Sequence, residues 1–145
     1  MKFRYKEYGS GTPRPVIPIE IHHKNLEVPY EVLIDSGADI SIFDSSIADV
    51  LGINIVKGIK KQIIGATWFP ENMYLHTISI KVGKLNFKIE VGFMEMRANS
   101  YGIVGQKGFF DKFIVRFDLI NKEIKLKSNP SWYVQFTWTY LDTTM

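Results

Sequence analysis

Apolar and polar residues alternate with a period of two over much of this chain, and interruptions of that rhythm divide it into short segments. Val16, Ile17, Ile19 and Ile21 predict a strand, with Pro15 and Pro18 near its start. His23-Lys24-Asn25 is a turn, and Leu26 to Ile34 returns as a second strand. Ile40-Ser41-Ile42-Phe43 predicts another strand. Asp44 is a good N-cap for a helix carrying Ile47, Val50 and Leu51 on one face, which Gly52 stops. Ile53 to Ile64 reads as extended chain. Trp68 and Phe69 lie between two turn signals, Gly65-Ala66-Thr67 and Pro70-Glu71-Asn72. They either cover something apolar from a loop or pack on the body.

The clearest hairpin follows. Ile78, Ile80 and Val82 alternate with Ser79 and Lys81, Gly83-Lys84 makes a two-residue turn, and Leu85, Phe87, Ile89 and Val91 return. Tyr101-Gly102-Ile103-Val104-Gly105 is an apolar run ending on glycine. Gln106 to Phe113 predicts a short helix presenting Phe109, Phe110 and Phe113. Ile114 to Phe117, a turn near Asn121-Lys122, and Glu123 to Leu126 make a last strand pair. In the tail, Trp132, Val134, Phe136, Trp138 and Tyr140 share one face of a period-two pattern that has to be buried somewhere. The count is at least eight short strands and two short helices, a mainly-β domain.

Two places depart from alternation. Val32-Leu33-Ile34 is continuously apolar and runs into Asp35-Ser36-Gly37-Ala38-Asp39. Such a run reads as a strand buried on both faces, so Asp35 stands where the chain leaves the core. An acid there is costly unless bonded or paired. By itself the stretch fits a plain Asp-Ser-Gly turn held by an Asx-type bond. The second departure is Ile103-Val104-Gly105, which repeats the pattern of an apolar strand stopped by glycine.

Composition narrows the chemistry. The 145 residues suit one domain, with 46% apolar and 23% charged residues typical of a globular chain. There is no cysteine, which removes disulfides, thiol nucleophiles and Cys-ligated zinc. A net charge of +3 argues for neither nucleic acid nor membrane as a partner. Lys57, Lys60 and Lys61 around Gly58 read as a solvated loop or hairpin. Gly9-Ser10-Gly11 is no phosphate loop, since no Lys-Ser or Lys-Thr follows it. His22 and His23 are adjacent and point to opposite faces of a strand, with His76 far away, so no metal or other cofactor is expected. No apolar run approaches the roughly 20 residues of a spanning helix. Met1-Lys2-Phe3-Arg4-Tyr5-Lys6 lacks a signal peptide's apolar core, and a cytoplasmic location is expected.

The order and spacing of these features resemble the retroviral-type, or retropepsin-like, aspartic proteases. The family signature, Asp-Thr/Ser-Gly-Ala after an apolar strand, stands here as Asp35-Ser36-Gly37-Ala38. Its second mark matches Ile103-Val104-Gly105, and Gln106 to Phe113 is similar to the helix that follows. The likeness covers roughly residues 16–127, leaving 1–15 as a loose N-terminal arm and 128–145 as an aromatic C-terminal strand extension. It implies a closed β-barrel or sandwich with one or two short helices, assembled as a two-fold homodimer. The implied activity is endopeptidase action on extended peptide or protein by a water held between two Asp35 carboxylates, one from each copy. This chain has a single Asp-Ser-Gly, and Asp142-Thr143-Thr144 lacks the glycine.

The resemblance also assigns supporting roles. Ser36 bonds the partner's facing loop, Gly37 lets backbone approach the carboxylates, Ala38 packs beneath substrate, and Gly105 permits close packing behind Asp35. Asp39 and Ile103 contact substrate, and a hairpin around Ile64, Gly65 and Ala66 closes over it. One flap glycine, Gly65, stands where many relatives have several. The aromatic tail has no counterpart in the minimal pattern; it builds an interface sheet or blocks the cleft. One rival to the enzyme is a non-catalytic, peptide-binding dimer of the same fold; a second is a purely structural, monomeric β-domain whose Asp-Ser-Gly is only a turn.

Overall fold

The computed structural model describes residues 1–9, 11–65, 68–96 and 101–129. The aromatic tail, Asp142 and Ala66 lie outside the described residues. Strand accounts for 62% of the structure and helix for 8%, so the domain is mainly β.

The chain opens with β1 (Lys2–Arg4), β2 (Lys6–Glu7) and β3 (Pro13–Arg14), followed by the hairpin β4 (Val16–His23) and β5 (Leu26–Ile34). The turn is Lys24-Asn25, and Lys24 takes a left-handed φ of 53°. Every second residue of β4 from Ile17 to Ile21 is buried, as the alternation requires. After Asp35 the chain forms β6 (Ser41–Asp44) and the helix α1 (Ser45–Leu51). Asp44 caps α1, its Oδ1 accepting the Ser46 N–H at 2.8 Å, and Gly52 ends it with φ 69°. A single 3₁₀ turn at Ile55–Lys57 leads into β7 (Ile59–Ile64), which pairs with the long strand β8 (Pro70–Val82). β9 (Leu85–Met94) returns over the Gly83-Lys84 turn, and β10 (Gly102–Val104) follows.

These strands close on themselves. The sheet order is β4-β5-β10-β6-β9-β8-β7, and β4 also pairs with β8 through Glu20–Lys81, Ile21–Ile80 and His22–Ser79. The result is a six-stranded barrel, with β7 attached outside the closed ring. Its interior is filled by Ile17, Ile21, Val32, Phe43, Ile80 and Phe93, all fully buried or nearly so. The last two strands, β11 (Phe113–Asp118) and β12 (Glu123–Ser128), form a separate sheet in the order β1-β12-β11. That sheet buries Phe113, Ile124 and Leu126 in the same continuous core.

Two expectations need correction. The N-terminal arm is not loose. Lys2, Phe3 and Arg4 pair in register with Lys125, Ile124 and Glu123, and Phe3 packs against the core. The polar character of the segment hid a short edge strand, recruited by a partner over a hundred residues away. Residues Gln106 to Phe113 form no helix. Gly108 takes φ +93°, and Phe110 N and Asp111 N bond to Gly105 O and Gln106 O rather than one residue closer. The segment is a chain of turns, although Phe109 and Phe113 are buried.

Candidate active site

Two strands from distant parts of the chain place Asp35. β5 and β10 run parallel, with Val32, Leu33 and Ile34 opposite Gly102, Ile103 and Val104. The ladder continues one step further, as Asp35 N donates to Val104 O at 3.0 Å. On the other flank Ile34 N donates to Pro15 O at 2.9 Å. Asp35 therefore leaves the barrel with its backbone fixed on both sides, and its side chain is half-buried.

The loop after it is a tight turn. Gly37 N donates to Asp35 Oδ1 at 2.9 Å, and Ala38 N donates to Asp35 O at 3.2 Å. A Cβ at Gly37 would stand 3.2 Å from Asp35 Oδ1, so glycine gives that oxygen its close approach. The Asx-type bond expected of a simple turn is present; what exceeds a simple turn is the second loop locked against it. Gln106 N donates to Ala38 O at 2.8 Å and Lys107 N to Asp39 O at 3.1 Å. The Gln106 side chain adds a bond from Nε2 to Ser36 O at 2.7 Å. Gly105 makes this contact possible, because a Cβ there would lie 2.4 Å from Ala38 O.

Ser41 pins the two loops from below. It is fully buried, its hydroxyl donates to Lys107 O at 3.2 Å, and its oxygen accepts the Gly105 N–H at 3.1 Å. The polar residue in the run Ile40-Ser41-Ile42-Phe43 is the sequence signal for such a role, although the run by itself predicts only a short strand. Gln106 carried no signal beyond following Gly105. Tyr30 supports β10 from inside. Burial pushes its phenol up to about 12, and its oxygen accepts the Asp44 N–H at 3.2 Å. Its ring sits against Gly102, where a Cβ would be 2.7 Å from Cε1.

The structure thus brings Asp35, Ser36, Gly37, Ala38, Asp39, Ile103 and Gly105 into one joint between β5, β6 and β10. Ser36, Gly37 and Asp39 are exposed, and Ile103 is half-buried between Leu33 and Ile42. Ile64 and Gly65 lie elsewhere, at the end of the β7–β8 hairpin, where Ile64 pairs with Pro70. That end is open: Ile64 is 65% exposed, Trp68 83% and Phe69 73%, and Trp68 N bonds Gly65 O at 3.0 Å. Among the described residues the two aromatics are therefore exposed rather than packed on the body. His76, at the root of the hairpin, has Nε2 within 2.8 Å of Ile55 O and is satisfied there.

Chemically, the joint offers one carboxylate on a rigid frame, with an N–H at Oδ1 and glycines on both sides. Such a group can orient a water and exchange a proton with it, the work of general acid–base chemistry.

A family model described as aspartyl protease matches residues 17–107, which span both loops of the joint. No curated protein matches the chain. Among solved structures, the chain is similar to a retropepsin-like aspartic protease from Rickettsia conorii. The TM-score is 0.61 at 17% identity, over 87% of this chain and 89% of that one. It is also similar to the retroviral protease-like domain of Ddi1 from Leishmania major. There the TM-score is 0.57 at 15% identity, over 79% of this chain and 88% of that one.

Proposed function

This chain belongs to the aspartyl protease family, and we propose that it is an aspartic endopeptidase that works as a homodimer. The observation that carries this reading is Asp35 held in the double-loop joint, in a chain with one Asp-Ser-Gly. One joint is half of a catalytic pair. The other half is the same joint of a second copy related by a two-fold axis. With the two carboxyl groups about 3 Å apart, like-charge repulsion leaves them sharing one proton.

The ionised member accepts a proton from water as its oxygen attacks the scissile carbonyl carbon. The protonated member donates its proton to the carbonyl oxygen. The tetrahedral intermediate then collapses, the C–N bond breaks, and the amine leaves with a proton returned through the pair. The two macroscopic pKa values belong to the pair, not to either Asp35.

The remaining assignments follow. The β7–β8 hairpin, with Ile64 and Gly65 toward its tip, is the flap that lies over a bound peptide and excludes water. Substrate binds extended, between that hairpin and a floor formed by Ala38, Asp39 and Ile103. Ser36 faces the partner's loop. Among the described residues β11 is the edge of its sheet, and that edge suits the contact between copies. It carries Ile114 at 61% exposure, and the following turn carries Ile120 at 94%.

Asp35→Asn tests the reading. Cleavage of an unstructured polypeptide at mildly acid pH is expected to vanish, while sedimentation still shows a dimer. If wild type and variant are equally inert across the pH range but dimeric, the chain is a peptide-binding dimer of the same fold. A wild type that stays monomeric at high concentration overturns both.

A further inference from the structure

We propose that Glu20, His22 and Glu27 form a surface site for a divalent transition ion of the zinc class, bridging β4 to β5. The site lies at the opposite end of β5 from Asp35 and takes no part in the chemistry above. Strand geometry sets the arrangement. Glu20 and His22 are two residues apart on β4 and share a face, and His22 stands directly opposite Glu27 across the ladder. Three donors from two hydrogen-bonded strands thus converge without depending on a loop.

The distances are close to what such an ion needs. His22 Nε2 lies 3.1 Å from Glu20 Oε2, and one donor atom from each of the three residues falls within 4.8 Å of the others. Tetrahedral bonds of 2.0–2.1 Å put zinc ligands about 3.4 Å apart. Glu27 is exposed and has room to make that small adjustment. One imidazole and two carboxylates suit zinc, nickel or copper. Calcium and magnesium prefer more ligands, all of them oxygen. Two carboxyl groups beside one imidazole are also a donor set that suits a dication. Lys81 Nζ, 3.8 Å from Glu20 Oε2, competes with the ion.

The frame is rigid. β4 is paired on both sides along this stretch, to β5 and to β8 at Glu20–His22. An ion held here clamps β4 to β5 and stabilises the folded barrel by binding only that form. The histidines alone, weighed as His22 with His23, did not reveal the site. The missing ligands are carboxylates two residues back and across the strand.

Titration of the untagged protein with zinc chloride, by calorimetry in chelator-free buffer and by thermal melting, tests the proposal. Wild type is expected to bind one equivalent and to melt at a higher temperature with the ion. His22→Ala and the milder, exposed Glu27→Gln are each expected to weaken binding about tenfold or more, the scale at which even outer-shell partners act. His23→Ala leaves it unchanged. No saturable binding in wild type, or an equal response in wild type and both variants, overturns the site.

Discussion

At the scale of single residues, the joint around Asp35 depends on groups that do no chemistry. Gly105 is the most constrained of them, since its missing side chain is what lets Gln106 N reach Ala38 O. Gly105→Ala forces that backbone carbonyl aside, and overpacking of this kind costs about 1–3 kcal/mol. Urea unfolding measures the cost, and activity is expected to fall further than stability, because the displaced loop carries Asp35. Ser41→Ala leaves the Gly105 N–H and the Lys107 carbonyl without the hydroxyl in a closed interior. The expected loss is about 1–3 kcal/mol, the desolvation penalty of buried groups left unpaired. A Ser41→Ala variant as stable as wild type shows that the hydroxyl pins nothing.

Asp44 gives a pH signature. Although partial burial works against it, hydrogen bonds from Ser46 and the Met96 N–H hold its carboxyl below the usual carboxylate range. A lowered folded value means that Asp44 stabilises the fold fully above the ordinary aspartate value of about 3.9. The contribution is lost as pH falls through the lower folded value. The stability gap between wild type and Asp44→Ala is therefore expected to be constant near neutrality, at about 1 kcal/mol for a lost cap. It should close in acid below about pH 4. A gap that widens there contradicts the assignment.

At the scale of elements, strands and caps were written in local pattern, and long-range partnerships were not. Leu26–Ile34, the Gly83-Lys84 hairpin, the Asp44 cap and the Gly52 stop were all legible, because each is decided within a few residues. The short strand Lys2–Arg4 was not, since only β12 makes it a strand. The Gln106–Phe113 turns read as a helix because the phenylalanine spacing fits one. Gly108, at φ +93°, decides against it. Gly108→Ala, a side chain forced into left-handed backbone, is expected to destabilise by about 1 kcal/mol or more, visible as a lower melting temperature. In the site, Asp35, Gly37 and Gly105 were visible as motif. Ser41 and Gln106 became visible only when two loops separated by some seventy residues met.

At the scale of the whole molecule, a pair built from two identical chains makes activity depend on composition. Under the homodimer proposal, inactive Asp35→Asn chains exchange into the dimer and spoil it. In an equal mixture about a quarter of dimers keep both acids, so activity per wild-type chain is expected to halve. A large excess of the variant should nearly abolish it. Activity per wild-type chain that ignores added variant, after time for exchange, means that one copy suffices.

The parallel pairing of residues 32–34 with 102–104 carries a consequence in time. While the polypeptide is being translated, Asp35 emerges early, but Val104 O, Gly105 and Gln106, which hold its loop, are made some seventy codons later. A nascent chain short of Gly105 has no formed joint around Asp35, whatever its concentration. Under the homodimer proposal, the order of synthesis is then a safeguard, since a pair of joints can be assembled only after nearly the whole barrel exists.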